Sequence, residues 1–147
     1  MLEKEQIQYR GFRNLYDENG EACGFEFCLR STYYRGVWLS QLRVGRVIVD
    51  GEEFLADSGN VTWIIRGQEY TPAEMAKDNI HFWAMTEVAT IRVKKPGGLA
   101  QGYHDVAVRW GWSSSYISPA REVFDDTQES PTMMRDNNTS NRRMLMV

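Results

Sequence analysis

The sequence predicts an all-β fold: an antiparallel β-sandwich, jelly-roll-like, with one short helix. Three observations predict it. Apolar residues recur with period two along three separate stretches, glycine-containing turn signals punctuate the chain at short intervals, and only one helix start is present. About seven short strands with turns at near-regular spacing describe a small sandwich. No period of roughly 20–50 residues recurs, which excludes a repeat array.

Taken in order, a first strand is expected around Gln8 to Tyr16, followed by the turn Glu18-Asn19-Gly20. Phe25, Phe27 and Leu29 then alternate with Glu26, Cys28 and Arg30, one face for a core and one for water. Val37 to Leu42 and Val44 to Val49 are rich in β-branched and large apolar residues, as strands are. Asp50-Gly51 is a two-residue hairpin signal, because both residues tolerate the positive φ of a type I′ turn. Another strand, Val61 to Arg66, stops at Gly67. Thr71, Pro72 and Glu74 spell a capped helix start, with the carboxylate three residues after the cap. Ala89, Ile91 and Val93 alternate again. Pro96-Gly97-Gly98 and Gln101-Gly102 bracket a connection, and Val106, Val108, Trp110 and Trp112 complete the set.

From Pro119 onward the pattern fades. Only one aromatic, Phe124, lies between there and Val147, beside two of the four prolines and a polar run from Asp136 to Arg143. Such a segment buries too little apolar surface to offset its ordering entropy. The expected organisation is a sandwich domain over residues 1–118 and a tail over 119–147 that is extended, disordered or laid across a partner.

Charge and composition narrow the function. At 147 residues the chain is one ordinary domain, able to bury a core without staples. Its 17 basic and 20 acidic residues give a net charge of −3, which argues against nucleic-acid binding. Mean hydropathy is −0.50, and no apolar run approaches the roughly 20 residues of a spanning helix. The first six residues hold no apolar secretory core, so the expected location is the cytoplasm. Cys23 and Cys28 stand about 17 Å apart if one strand carries both, too far for a disulfide. Free thiols in a reducing compartment follow.

The search for chemistry returns little. Two histidines, His81 and His104, fall short of a metal cage; His104 shares the parity of Val106 and Val108 and is expected to point inward as a hydrogen-bonded core residue. His81 has Asp78 within reach in a loop. Glu52, Glu53, Glu69, Glu74, Glu87 and Asp105 supply carboxylates, yet nothing singles out the acid and base pair of a glycosidase. Ser113-Ser114-Ser115 lacks a nucleophile elbow. No catalytic residue and no metal ligand set is therefore assigned to this chain. What stands out is the corner Tyr33-Tyr34-Arg35 with Trp38 just beyond it, residue types enriched at interface hot spots. Either this corner is a partner interface or it plugs one end of the sandwich.

At that corner the sequence resembles a known family. Phe12-Arg13-Asn14, Gly24-Phe25-Glu26-Phe27 and the run Tyr33 to Ser40 are similar to the small β subunit of bacterial C-glycoside deglycosidases. So are Val49 to Phe54, Tyr70 to Met75 and Lys95 to Leu99, an ordered set reaching to about Tyr116. The resemblance implies a β-sandwich subunit of a carbon–carbon lyase complex, inactive alone. The partner α subunit would be a sugar-isomerase-like barrel carrying a divalent metal, Mn²⁺, and the acid/base residues. The substrate at the complex would be a 3″-oxo C-glycoside of a phenolic aglycone such as a flavonoid. Tyr33, Tyr34, Arg35 and Trp38 would then meet the α subunit. Two rivals stay open: a free-standing carbohydrate-binding sandwich using exposed aromatics, and a self-sufficient hydrolase using two of the carboxylates.

Overall fold

A computed structural model describes residues 3–31, 36–112 and 138–147. The strands are β1 (Arg13–Tyr16), β2 (Ala22–Arg30), β3 (Val37–Trp38), β4 (Leu42–Val49), β5 (Glu52–Phe54), β6 (Val61–Ile65), β7 (Gln68–Tyr70), β8 (Phe82–Trp83), β9 (Val88–Lys94), β10 (Gly102–Trp112) and β11 (Asn138–Met146). One short helix, α1 (Pro72–Lys77), follows β7. A five-stranded antiparallel sheet in the order β1-β2-β9-β6-β7 faces a four-stranded one in the order β11-β10-β4-β5. The all-β antiparallel class read from the sequence is the one observed.

The period-two residues build the core between the sheets. Phe27, Ile91 and Trp63 stand side by side across β2, β9 and β6 and are fully buried. Val106, Val108 and Trp110 line the facing sheet. Rings cross the gap: Phe25 meets Phe54 edge-on at 5.7 Å, and Trp63 meets Trp110 at 6.5 Å. The two open flanks of the sandwich are closed differently. On the β1/β11 side the amino-terminal segment bridges the sheets. Gln8 N–H donates to Cys28 at 2.9 Å, while the Gln6 side chain accepts from Trp110 Nε1 at 3.2 Å and from the Ser140 hydroxyl. On the other side lies α1, in contact with β4, β6 and β7. Its start is as read: Thr71 Oγ1 accepts from the Glu74 amide at 3.1 Å and Glu74 returns the bond to Thr71 N–H at 3.0 Å.

Four local expectations need correction. The first strand spans only Arg13–Tyr16, because Gly11 turns the chain at φ +90 over Cys28, where a Cβ would lie 2.8 Å from its sulfur. The stretch Val37–Leu42 is a two-residue strand and then a 3₁₀ turn over Leu39–Gln41. Glu26, expected in water, has 3% of its side chain exposed, since Arg13 at 2.6 Å and Arg92 at 3.1 Å lie on either side of it. Finally, part of the expected tail belongs to the sandwich. β11 pairs with β10 from Gly102↔Met146 to Trp110↔Asn138, burying Met144 and Met146. The polar run forms the first two-thirds of β11, leaving only Met144 and Met146, alternating with Leu145 and Val147, to mark an apolar face. The proposed boundary at Ser118 and residues 119–137 lie outside the described residues.

Candidate partner-docking site

The corner singled out by the sequence ends in a small, separate ladder. β3 pairs with β8 through Val37↔Trp83 and Trp38↔Phe82. Alternation sends Val37 and Trp83 into the core, both buried, and leaves Trp38 and Phe82 on the outer face. The Trp38 and Phe82 rings meet edge-to-face at 5.1 Å and 67°. Gly36 makes this possible: a Cβ there would collide with the Phe82 ring and would stand 2.8 Å from the Trp83 carbonyl. Beneath, the Trp83 ring packs on Trp63 at 5.7 Å and Trp110 at 5.4 Å, and its Nε1–H donates to the Glu87 carbonyl at 2.9 Å.

The flanking loop is held as firmly. Asp78 Oδ1 accepts from the amides of Ile80 (2.9 Å) and His81 (2.8 Å), while Oδ2 lies 2.6 Å from His81 Nδ1. The backbone joins in, with Ser40 N–H donating to Asp78 at 2.7 Å and Leu39 N–H to His81 at 3.1 Å. Burial works against the Asp78 charge, yet the hydrogen bonds from His81 and Ile80 outweigh it and hold the carboxyl below its ordinary range. This loop presents Ile80, 77% exposed. Met85, in the turn after β8, is 43% exposed, and Trp38 is 45% exposed. Large apolar side chains on pinned backbone make a surface that loses little entropy when covered.

Of the four sequence-assigned interface residues, Trp38 is placed on this exposed face. Tyr33, Tyr34 and Arg35 lie outside the described residues, with Ser31 and Gly36 on either side of them. Sequence reasoning missed Ile80, Phe82 and Met85, because a loop and a two-residue strand carry no periodicity. The available signal was Ile80 itself, an aliphatic residue between Asp78-Asn79 and His81 with no helix or strand to bury it.

The other candidates sit apart from this corner or are engaged in pairs. Glu52 binds Lys95, Glu53 binds Arg46, Glu69 binds Arg92 and Glu87 binds Arg66, all as exposed or half-exposed ion pairs. His104 does point inward at the start of β10, where its ring bonds Asp50 and the Ala100 carbonyl. Cys23 and Cys28 are free thiols. Among the described residues no three His, Cys, Asp or Glu side chains gather as a metal site, and no helix is long and apolar enough to cross a membrane. The side-chain pairs therefore brace the sandwich, and the exposed aromatic corner is its most distinctive surface. The class of protein these features define is an antiparallel β-sandwich with an outward-facing aromatic ladder at one corner.

Comparison with known proteins makes the assignment specific. Residues 2–116 match the model of the family described as C-glycoside deglycosidase beta subunit. A protein named "C-glycoside deglycosidase beta subunit" from Eubacterium cellulosolvens is 44% identical over 149 residues, covering 99% of this chain and all of that protein. The chain belongs to the C-glycoside deglycosidase beta subunit family, the one its sequence resembles.

Proposed function

We propose that this chain is the non-catalytic subunit of a cytoplasmic carbon–carbon lyase complex, docking through its Trp38 corner onto an α subunit. The full-length likeness to a protein named as a beta subunit carries this reading. In it the α subunit is a sugar-isomerase-like barrel that holds the acid/base residues and a divalent metal, Mn²⁺, while this chain supports assembly and the shape of the pocket. Tyr33, Tyr34, Arg35 and Trp38 form the contact, with Arg35 directed at a carboxylate or carbonyl of the partner.

The chemistry explains the division of labour. A C–C glycosidic bond has no leaving oxygen to protonate, so the acid and base of an ordinary glycosidase do not suffice. In a 3″-oxo C-glycoside the ketone makes the C2″ proton acidic. A base on the α subunit removes it, and the electron pair expels the aglycone carbon, which takes a proton from a general acid or from its own phenol tautomer. The metal would supply Lewis-acid stabilisation of the negative charge on the sugar oxygens.

The test is reconstitution. The two chains mixed should elute as one stoichiometric complex that cleaves the oxidised substrate, and this chain alone should not cleave it even with Mn²⁺ added. Turnover by the isolated chain at the rate of the complex overturns the reading. Exposed Trp38 also favours a second one, a carbohydrate-binding sandwich; sugar binding by the chain alone, with no affinity for an α subunit, would select it.

A further inference from the structure

Away from the docking corner, at the far end of β10, His104 is bonded on both sides of its ring. Nδ1 lies 2.5 Å from Asp50 Oδ2 and Nε2 lies 2.6 Å from the Ala100 carbonyl oxygen, with 11% of the side chain exposed. A carbonyl oxygen only accepts, so Nε2 carries a proton. An ionised carboxylate only accepts too, so Nδ1 carries the other. Asp50 is held in that ionised form: the His104 hydrogen bond, and after it the Asp105 amide donating to Oδ1 at 2.8 Å, push its carboxyl below the ordinary range. Burial by itself would strip His104 of a proton, but the Ala100 carbonyl and Asp50 together outweigh it and raise its pKa.

Among the described residues the His104 ring has these two hydrogen-bond partners. Met144 of β11 stands opposite His104 in register, and the Phe12 ring meets the imidazole edge-on at 6.4 Å. Arg143 of β11 points to Asp105 at 3.9 Å and adds a weaker pull on the Asp50 charge. Glu52, beyond the turn, is paired with Lys95 at 2.9 Å.

We propose that His104 and Asp50 form a proton-dependent clasp that ties the β4–β5 turn to the loop before β10, and that it opens when His104 gives up one proton to solvent. The neutral ring keeps its remaining proton on Nδ1, against the charged carboxylate. The Nε2 lone pair then faces the Ala100 carbonyl oxygen at 2.6 Å, and these two repel. The rest of the loop has its own anchor. Asn14 grips Leu99 twice, donating to its carbonyl at 2.8 Å and accepting from its amide at 2.9 Å. Asp50 N–H also donates to the Asp105 carbonyl at 3.0 Å, so the turn stays on β10. Opening is centred on Ala100–Gly102, with Gly51 sensing it through the His104 ring, while Leu99 stays docked.

The experiment is an NMR titration of the full chain, following the His104 ring and the amides around it. Asp50→Asn is the informative variant, because Asn-Gly is as good a type I′ turn as Asp-Gly and the hairpin persists without the charge. In the native chain the His104 midpoint should lie above the ordinary histidine value near 6.5, and the amides of Gly51, Ala100 and Gly102 should shift with it while Leu99 does not. In Asp50→Asn the midpoint should fall by about one pH unit or more, a tenfold loss of proton affinity. A midpoint at or below the ordinary value, one that Asp50→Asn leaves in place, or loop amides indifferent to the titration each overturns the clasp.

Discussion

Each end of the sandwich carries an Asp–His pair, and the two pairs do different work. Asp50 and His104 are 54 residues apart in sequence and bind a turn to a strand and a loop. Asp78 and His81 are three apart and bind a loop to itself. His104 has 11% of its side chain exposed and both nitrogens engaged, whereas His81 is 52% exposed. Around the first pair lie tight turns: Asp50 and Gly51 at φ 50 and 85, and Gly97 and Gly98 at φ 82 and 60. Around the second lie Trp38, Ile80 and Met85, each more than two-fifths exposed. Long-range polar ties close one end on itself. At the other, a short-range side-chain pair backed by backbone bonds from Leu39 and Ser40 holds apolar side chains out where a partner can cover them.

The largest expected effect breaks the support under the exposed end. Trp83 is fully buried on the inner side of the ladder, packed on Trp63 and Trp110. Trp83→Ala leaves a cavity and should cost about 3–5 kcal/mol, as should Phe27→Ala midway along the sandwich. Thermal unfolding would show both as a fall of roughly 10 °C or more. If Trp83→Ala leaves the melting temperature in place while Phe27→Ala lowers it, the ladder is an appendage and not part of the core.

Much of this was legible in the sequence, and the boundary between legible and illegible is physical. Phe25 to Leu29, Ala89 to Val93 and Val106 to Trp112 announce themselves because one face of each strand is buried along its whole length. Asp50-Gly51 and Thr71 to Glu74 announce themselves because backbone geometry there admits few residue types. β11 stayed hidden, since only Met144 and Met146 mark its inner face after a polar run of eight residues. Glu26 was misjudged because its burial depends on two arginines from other strands, and no local pattern encodes such a meeting. At the candidate site Trp38 was legible as a residue type. Its companions Ile80 and Met85 were not, because pairing of β3 with β8 brings them to that corner from more than 40 residues away.

The next effect separates exposure from support. Trp38 shares the ladder with Trp83 but faces out, so Trp38→Ala should leave the chain's own melting temperature nearly unchanged. Association with the α subunit should weaken by about 2 kcal/mol, roughly thirtyfold, as for a truncated interface hot spot. Tyr103, 61% exposed at the opposite end, is the matched control. Tyr103→Ala should not change the affinity measured by titration calorimetry. Equal losses from the two variants would mean the ends are not differentiated as their geometry indicates.

The smallest effect concerns the Asp78 carboxylate. Its pKa is lowered in the folded chain, so its charge adds stability that is complete above the ordinary Asp value and is lost as pH falls through the folded value. Asp78→Asn keeps an oxygen for the Ile80 and His81 amides and removes only the charge facing the His81 ring. Near neutral pH the variant should be less stable by under about 1 kcal/mol, because the pair is partly open to water. That difference should shrink on acidification below about pH 4 and vanish once the native carboxyl is protonated. Urea midpoints of both chains, taken across that range, measure it directly. A gap that stays constant down to pH about 2 would show that the amide bonds alone hold the loop, and that the resemblance of the two Asp–His pairs is one of composition only.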